Sequence, residues 1–250
     1  MRIAVAGATG RVGRHVVDAL DASGHQAVPM SRATGVDVIT GAGLADALAG
    51  ADCIIDTATG PSPEEAAATQ FFTTAARNLH AAGLAAGVRL LVVVSIINTD
   101  KLRGGYAVAK VAHERAALAG PIPARILRAA QFHEFVEQVM AWGQQGEVCY
   151  VPKMRTQLVA ARTVAEVLVE LAVAADAPTG PIPEIAGPRE EEMAAAARLL
   201  ADRRGDSVKV EPVSNPDDPD AVANETGVLL PSPHAKLAGP TFAEWVGATG

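Results

Sequence analysis

The sequence opens with a glycine turn that restricts what the chain can fold into. An apolar run at residues 3–6 leads directly into Gly7-Ala8-Thr9-Gly10-Arg11-Val12-Gly13, and a segment with helical spacing follows. In such a turn the first glycine supplies a positive φ, the second lets a ligand approach the backbone, and the third lets helix and strand pack closely. This order predicts a β-α unit whose helix N-terminus binds phosphate groups.

The first half of the chain alternates between strand-like and helix-like segments. Strands are predicted at residues 3–6, 25–30, 53–56, 88–95 and 124–127, and helices at 12–22, 44–48, 62–86 and 105–118. Repeated β-α-β units predict a parallel sheet with helices on both faces. The predicted fold class is therefore α/β, with a Rossmann-type doubly wound parallel sheet. Ligands bind such sheets at the carboxyl ends of the strands, where the strand order reverses.

The second half is less regular. Helices are predicted at residues 131–144, from a capping box at Thr163, and within 188–203; strands are predicted at 181–186 and 208–210, and a loop at 213–220. A capping box at Ser62 opens the long helix of the first half in the same way. We expect residues 1–130 to form an NAD(P)-binding core. Residues 131–250 are expected to form a small substrate lobe that packs on this core, partly completes the sheet and belongs to one structural unit with it.

Composition excludes several classes of protein. Of 250 residues 49% are apolar, and the net charge is −7 without a basic run, so a large core is expected and a nucleic-acid partner is not. Apolar stretches end well short of the ~18 residues that cross a membrane, and no signal peptide precedes the first strand. Two distant cysteines give neither a metal site nor a disulfide framework. These observations predict a cytoplasmic location. A small-molecule substrate and a monomer or homodimer are expected only from the family resemblance described below.

The end of the second predicted strand indicates which dinucleotide binds. Sites for NAD usually carry Asp or Glu there, whereas this strand ends in Met30-Ser31-Arg32. A guanidinium pairs well with phosphate oxygens, and Arg11 in the glycine turn can join it. The hydroxyl and the guanidinium therefore predict NADP(H). The alternative is that Arg32 is a solvated loop residue.

A tyrosine and a lysine follow the most hydrophobic strand. Tyr106 and Lys110 are separated by four residues, so they share one face of the predicted helix. An ammonium group favours the phenolate and is expected to lower the pKa of the tyrosine. Tyr106 is therefore a candidate general acid for a carbonyl oxygen, with Lys110 also available to the nicotinamide ribose. A surface Tyr–Lys pair is the alternative.

These features together resemble the short-chain dehydrogenase/reductase superfamily, and more closely its atypical, NmrA-like branch of NAD(P)-binding proteins. The likeness covers roughly residues 1–135. It is carried by the glycine turn, Arg32, Asp37-Val38, residues 44–52, Ser95, Tyr106, Lys110 and residues 127–135.

The resemblance implies a catalytic trio and a set of cofactor contacts. The trio is Ser95, Tyr106 and Lys110. The cofactor contacts, taken with the residues identified above, are Gly7, Thr9, Gly10, Arg11, Val12, Gly13, Ser31, Arg32, Asp37, Val38, Thr57, Ala58, Thr59, Lys110, Ala129, Ala130, Gln131 and Phe132. A substrate pocket is predicted at Ile96, Phe132, His133 and Phe135, with core packing as the alternative for the histidine and the phenylalanines.

The leading interpretation is an NADPH-dependent oxidoreductase that reduces a carbonyl or quinone-like small molecule. In it Ser95 holds the carbonyl oxygen, Tyr106 donates the proton and Lys110 tunes that donor. The first alternative is a non-catalytic NADP(H)-binding regulator that senses redox state, as some NmrA-like proteins do. A second alternative is a reductase that works through flavin, although no part of the sequence marks a flavin site.

Overall fold

The computed structural model describes residues 1–248. The strands are β1 Arg2–Ala6, β2 Gln26–Met30, β3 Cys53–Asp56, β4 Leu90–Ile96, β5 Ala124–Ala129, β6 Gln144–Gln145, β7 Val148–Pro152, β8 Arg155–Thr156, β9 Glu184–Ala186, β10 Glu191–Glu192, β11 Lys209–Val213 and β12 Lys236–Leu237. The helices are α1 Gly13–Ala22, α2 Leu44–Leu48, α3 Glu65–Ala86, α4 Gly105–Ala119, α5 His133–Gly143, α6 Ala161–Val173, α7 Met193–Arg204, α8 Ala221–Thr226 and α9 Phe242–Ala248. Within this part of the chain, no helix combines the length and apolar character needed to cross a membrane.

A seven-stranded parallel sheet organises the fold. Its strand order is β12-β9-β5-β4-β3-β1-β2. The chain passes from β1 outward to β2 and then returns to pair β3 with the other side of β1, so the strand order reverses beside β1. The predicted Rossmann-type doubly wound sheet is confirmed, and its ligand-binding edge lies at the carboxyl ends of β1 and β3.

The chain divides into two compact units. The first comprises Met1–Ser95, Gly105–Leu127 and Val164–Pro183. Its central strands are continuous apolar runs because they are covered on both faces; every residue of β3 is buried. Helix α1 buries Val16 and Leu20, as its helical spacing predicts. The cluster that packs around Leu48, Ile54 and Leu91 forms the core of this unit.

The second unit comprises Ile96–Gly104, Arg128–Thr163 and the described residues from Glu184 onward. A small sheet of order β11-β7-β6 and the antiparallel pair β8–β10 lie in it. Its core packs Val136, Met193 and Phe242. Most of α6, from Val164 onward, lies in the first unit, and the loop that follows β4 lies in the second. The predicted domains, with their boundary at residue 130, stay a prediction.

The loop that follows β4 is held by distant residues of the second unit. Asn98 adopts a left-handed backbone with φ of 54°, and its Nδ2 donates to the carbonyls of Val228 (2.7 Å) and Leu230 (3.0 Å). The buried carboxylate of Asp220 accepts from the backbone N–H of Arg103 (2.9 Å) and from that of Gly104 (3.0 Å). Side-chain bonds therefore fix the loop at both of its ends.

Neither predicted capping box is formed. The Ser62 hydroxyl accepts from the N–H of Glu64 at 3.2 Å, and α3 begins one residue later without a side-chain cap. Helix α6 begins at Ala161, so Thr163 lies inside it. The Glu134 carboxylate accepts the Ala161 N–H at 3.3 Å and thereby caps α6 from a different helix. Tertiary contacts override the local signal at these helix ends.

Candidate functional site

The glycine turn lies where three pieces of backbone meet. Gly7 has a φ of +76°, and a Cβ there would approach the Ala58 Cα at 2.8 Å. A Cβ on Gly13 would lie 2.1 Å from the Gly7 carbonyl oxygen and 2.8 Å from the Thr57 hydroxyl. Neither position has room for a side chain, since real Cβ atoms do not approach other atoms so closely. The close approach of β1, α1 and the segment after β3 therefore depends on these glycines.

The N-terminus of α1 is open to a phosphate group. No side chain caps this helix, and Thr9, Gly10 and Arg11 are exposed, whereas Val12 and Gly13 are buried. The Gly10 N–H closes the turn by donating to the Gly7 carbonyl at 2.8 Å. Backbone N–H groups at a helix start, together with the helix dipole, attract the pyrophosphate of a dinucleotide. The narrow glycine cradle and this donor set fit a nicotinamide dinucleotide.

The turn after β2 presents a guanidinium. Arg32 is exposed at the start of a short 3-10 turn, and no ion pair holds it among the described residues. Ser31 shapes the turn, since its hydroxyl accepts from the Thr34 N–H at 3.3 Å while its own N–H donates to the Thr34 hydroxyl at 2.9 Å. The predicted phosphate contact at Arg32 is sterically available, whereas the Ser31 hydroxyl has a structural role.

The predicted adenine segment is held in place by its own hydrogen bonds. The Asp37 carboxylate accepts the N–H of Ile39 at 2.7 Å. The Asn78 amide on α3 donates to the carbonyls of Val38 (2.9 Å) and Ile39 (2.8 Å). Val38 also packs against the core of the first unit. These contacts fix the loop that begins at Asp37, and its contact with adenine stays a prediction.

The segment after β3 connects the glycine turn to Tyr106. Thr57 donates its hydroxyl to the Ala6 carbonyl at 2.8 Å, and Ala58 lies against Gly7. Two residues after Thr57, the Thr59 hydroxyl is 3.1 Å from the Tyr106 hydroxyl. Tyr106 is half-buried and packs edge-on against Phe72 of α3, with ring centroids 5.6 Å apart. A candidate proton donor and the glycine turn are thus held by the same three residues.

Lys110 belongs to a buried hydrogen-bonded chain. Its ammonium donates to the Val94 carbonyl at 2.8 Å and contacts Nδ1 of His113 at 2.9 Å. Because an ammonium only donates, Nδ1 accepts, and the Nε2–H of His113 donates to Asp56 at 3.1 Å. The ring of Phe72 covers both groups, with its centroid 4.4 Å from the lysine nitrogen and 4.6 Å from the imidazole centroid. We call Asp56, His113 and Lys110 the buried triad.

Burial controls the acid–base properties of this helix face. It lowers the pKa of Lys110 to about 8, opposed by the carboxylates of Asp56 and Glu114. Burial and the Lys110 ammonium also lower the pKa of His113. Burial raises the pKa of Tyr106, while the hydrogen bond with Thr59 acts in the opposite direction. The expectation that Lys110 lowers the pKa of Tyr106 is wrong, because its ammonium is turned toward Val94 and His113.

Ser95 and Ile96 end β4. Ser95 is buried, and among the described residues its hydroxyl oxygen has no hydrogen-bond partner. It follows Val94, whose carbonyl accepts from Lys110. Ile96 is half-buried. A buried hydroxyl without a partner is unusual, and the role predicted for Ser95 stays a prediction.

In the second unit, residues 129–132 form a packed extended stretch. The Ala130 N–H donates to the Ile185 carbonyl at 2.9 Å, and the Gln131 side-chain oxygen accepts from the Thr156 hydroxyl. Phe132 forms an isolated parallel bridge with Val159, and Ala129 is buried. The roles predicted for these residues near the nicotinamide stay predictions.

His133 and Phe135 have different surroundings. The His133 side chain is fully buried, with Nε2 donating to the Pro240 carbonyl at 3.1 Å, and its ring lies 5.4 Å from those of Phe242 and Trp245. Core packing, the alternative given above, accounts for this histidine. Phe135 lines a cleft of about 370 Å³ in the second unit, with Trp142, Tyr150 and Met154 among its other walls.

The buried His133 predicts a loss of stability in acid. Burial lowers its pKa to about 4 in the folded chain, against about 6.5 in an unfolded one. As the pH falls from 6.5 to 4, the unfolded chain takes up this proton first, so the free energy of unfolding decreases by about 3 kcal/mol. Urea titrations at several pH values measure this decrease. His133→Gln should remove it, and His234→Gln, which alters an exposed imidazole, should not. Identical pH profiles for the two variants would contradict the assignment.

Sequence reasoning missed two members of the buried triad. Asp56 was noted only as the end of a strand, and His113 was not singled out. A signal was present, because Lys110 and His113 are three residues apart on one helix face and Asp56 ends an entirely apolar strand. These groups meet only if α4 packs beside the end of β3, and the sequence alone does not specify that packing.

Comparison with known proteins identifies the fold. No protein family model matches the sequence, and no curated protein matches it. A short-chain dehydrogenase/reductase superfamily protein from Agrobacterium tumefaciens with bound NAD matches with a TM-score of 0.69 and 18% identity, over 99% of this chain and 96% of that chain. An NADPH-dependent quinone oxidoreductase from Escherichia coli, in complex with NADPH, matches with a TM-score of 0.72 and 19% identity, over 99% of this chain and 99% of that chain. A UDP-N-acetylglucosamine 4-epimerase from Bacillus cereus matches with a TM-score of 0.68 and 18% identity, over 98% of this chain and 94% of that chain.

These similarities extend over nearly the whole chain, and at such identities they show the fold. One of these neighbours is a short-chain dehydrogenase/reductase superfamily protein with bound NAD, and another is a quinone oxidoreductase complexed with NADPH. The fold that the resemblance to that superfamily implies therefore agrees with the structure. The narrower resemblance to its NmrA-like branch stays a prediction.

Proposed function

We propose that this chain is an NADPH-dependent oxidoreductase that reduces a carbonyl or quinone-like small molecule. One observation carries the proposal: residues 57–59 contact the glycine turn at one end and the Tyr106 hydroxyl at the other. A phenol is thereby held beside the strand ends at which Rossmann-type folds bind dinucleotides. The likeness in fold to an NADPH-dependent quinone oxidoreductase supports the same reaction class.

Tyr106, Ser95 and Lys110 then have defined roles in the reaction. The bound cofactor supplies the hydride. Tyr106 donates the proton to the substrate oxygen, and the unpartnered Ser95 hydroxyl is a second donor for that oxygen. Lys110 binds the carbonyl of Val94, the residue before Ser95, and so fixes α4 against β4. This contact keeps Tyr106 and Ser95 in a constant relation within the unit.

Turnover with a panel of substrates tests the proposal. The purified chain is mixed with NADPH and, in separate reactions, with aldehydes, ketones and quinones, while the nicotinamide absorbance is followed. We expect NADPH consumption with at least one of these classes, above a control without substrate. NADPH binding by calorimetry without turnover of any compound would contradict the proposal.

A non-catalytic NADP(H)-binding regulator is the second candidate. The observation that favours it is the position of Lys110, whose ammonium is bonded to Val94 and His113 and is not the group that sets the pKa of Tyr106. In this case Tyr106 contributes packing against Phe72. Saturable NADPH binding without turnover would support this function.

The exposed guanidinium of Arg32 predicts a preference for NADPH. A charged hydrogen bond to the 2′-phosphate is worth about 1.5–3 kcal/mol, so Arg32→Ala should weaken NADPH binding by roughly 10- to 100-fold and leave NADH binding nearly unchanged. Calorimetric titration with both nucleotides measures this difference. Arg115→Ala, which removes an exposed arginine of α4, is the control. Equal affinities of the intact protein for NADPH and NADH would refute the predicted preference.

A further inference from the structure

The Tyr106 hydroxyl is paired with a residue that faces solvent. Its hydrogen bond is with the Thr59 hydroxyl at 3.1 Å, and either oxygen can be the donor. Thr59 is exposed, whereas Tyr106 is half-buried behind it. Thr59 follows β3 directly through Thr57 and Ala58, which the glycine turn holds in place. The hydroxyl of Thr59 therefore lies between the phenol and water at a fixed position.

The Lys110 ammonium is not the group that pairs with the Tyr106 hydroxyl. Its ammonium is used by the Val94 carbonyl and His113, and Phe72 covers it. A general acid that has given up its proton must recover one before the next turnover. Because the buried triad ends at the buried carboxylate of Asp56, it offers no route from water to the phenol. Thr59, the exposed partner of Tyr106, does offer such a route.

We propose that Thr59 is a positioning residue that aims the Tyr106 hydroxyl and returns a proton to it from solvent. The proposal rests on the proposed function. In the reduction, the hydride forms a C–H bond at the substrate carbon while the Tyr106 O–H bond breaks and the substrate O–H bond forms. The Thr59 O–H proton then passes to the phenolate while the Thr59 oxygen takes a proton from water in the same step, so that no alkoxide forms and hydroxide is released to solvent. The net reaction consumes one hydride and one solvent proton.

The titratable groups around Tyr106 come from three elements. They are Asp56 at the end of β3, Glu65 at the start of α3, which accepts the Gly105 N–H at 3.0 Å, and Lys110 and His113 on α4. Burial raises the pKa of Tyr106, the bond with Thr59 lowers it, and the charge of Asp56 makes a smaller contribution that raises it. Removing the Thr59 hydroxyl should therefore raise this pKa further.

A titration that needs no turnover tests the contact. The chain has two tyrosines, so in a Tyr150→Phe background the tyrosinate absorbance reports Tyr106 alone. Thr59→Val keeps the shape of the side chain and removes the hydroxyl, and we expect it to raise the pKa of Tyr106. Thr59→Ser keeps a hydroxyl and should restore the original titration. The same titration curve for all three proteins would overturn the proposal.

Kinetics test the consequence for catalysis. Loss of one neutral hydrogen bond, about 0.5–1.5 kcal/mol, should lower kcat roughly 2- to 10-fold in Thr59→Val. The alkaline limb of the pH–rate profile should move upward, and Thr59→Ser should recover the rate. If Tyr106→Phe is inactive while Thr59→Val is indistinguishable from wild type in both rate and titration, only this inference fails. If Tyr106→Phe is fully active, the proposed function fails.

Discussion

Replacing Tyr106 by phenylalanine should slow substrate reduction by roughly 100- to 10,000-fold, the usual contribution of a positioned general acid. The substitution removes one oxygen and keeps the ring that packs edge-on against Phe72. The helix face and the glycine turn should therefore be unaffected, and NADPH should bind with its original affinity. Steady-state kinetics on the best substrate of the panel, together with calorimetric NADPH titration, measure the two quantities separately.

The second tyrosine provides the matched control. Tyr150 lies in β7 of the second unit and is partly exposed, so Tyr150→Phe makes the same chemical change outside the first unit. We expect wild-type kcat from this variant, which keeps the ring that Tyr150 contributes to the cleft of the second unit. Comparable rates for the two variants would show that the Tyr106 hydroxyl is not the acid.

Changing Asp56 to asparagine should lower the free energy of unfolding by about 3–5 kcal/mol, as expected when a buried charge loses a compensating charge. Both carboxylate oxygens accept hydrogen bonds, one from the Ala58 N–H at 2.9 Å and one from the His113 Nε2–H at 3.1 Å. An asparagine must turn its NH₂ group toward one of these donors. It also removes a negative charge that offsets the buried Lys110 ammonium.

Urea unfolding followed by circular dichroism measures this loss. Asp18→Asn is the control, because that carboxylate lies on the surface of α1 in a long contact with His15 of 3.9 Å. Exposed pairs contribute about 0–1 kcal/mol, so the control should unfold nearly as the wild type does. Equal stability of the two variants would mean that the triad does not hold the unit together.

The first half of the chain was predictable because its local signals and its packing agree. Helix Leu44–Leu48 and strand Cys53–Asp56 were placed at their exact bounds, and the strand order gave the expected reversal beside β1. Each of these elements is marked by apolar periodicity and by glycine, which act over a few residues. The glycine turn needs no distant information, since its shape follows from the absence of side chains.

The remaining features of the fold and of the candidate site depend on contacts between distant residues, which no local sequence pattern encodes. Helix α6 starts at Ala161 because Glu134 caps it from another helix, and the strand β7 pairs with β11 some sixty residues later. The direction of the Lys110 side chain was likewise not predictable. The i, i+4 spacing predicted that it points toward Tyr106, whereas its ammonium binds the Val94 carbonyl and His113. Spacing along a helix identifies neighbours, but the competing acceptors come from other strands and helices.

The Asp220 carboxylate has a consequence for how the protein matures. It binds the N–H groups of Arg103 and Gly104, directly before α4 begins, and it lies 117 residues after Arg103 in the sequence. A ribosome makes the chain from its N-terminus, so the glycine turn and the first four strands can assemble while this acceptor is still unsynthesised. Contacts between such distant residues close slowly. In a nascent chain the glycine turn and the strands around it should therefore form before the segment directly ahead of α4 is anchored.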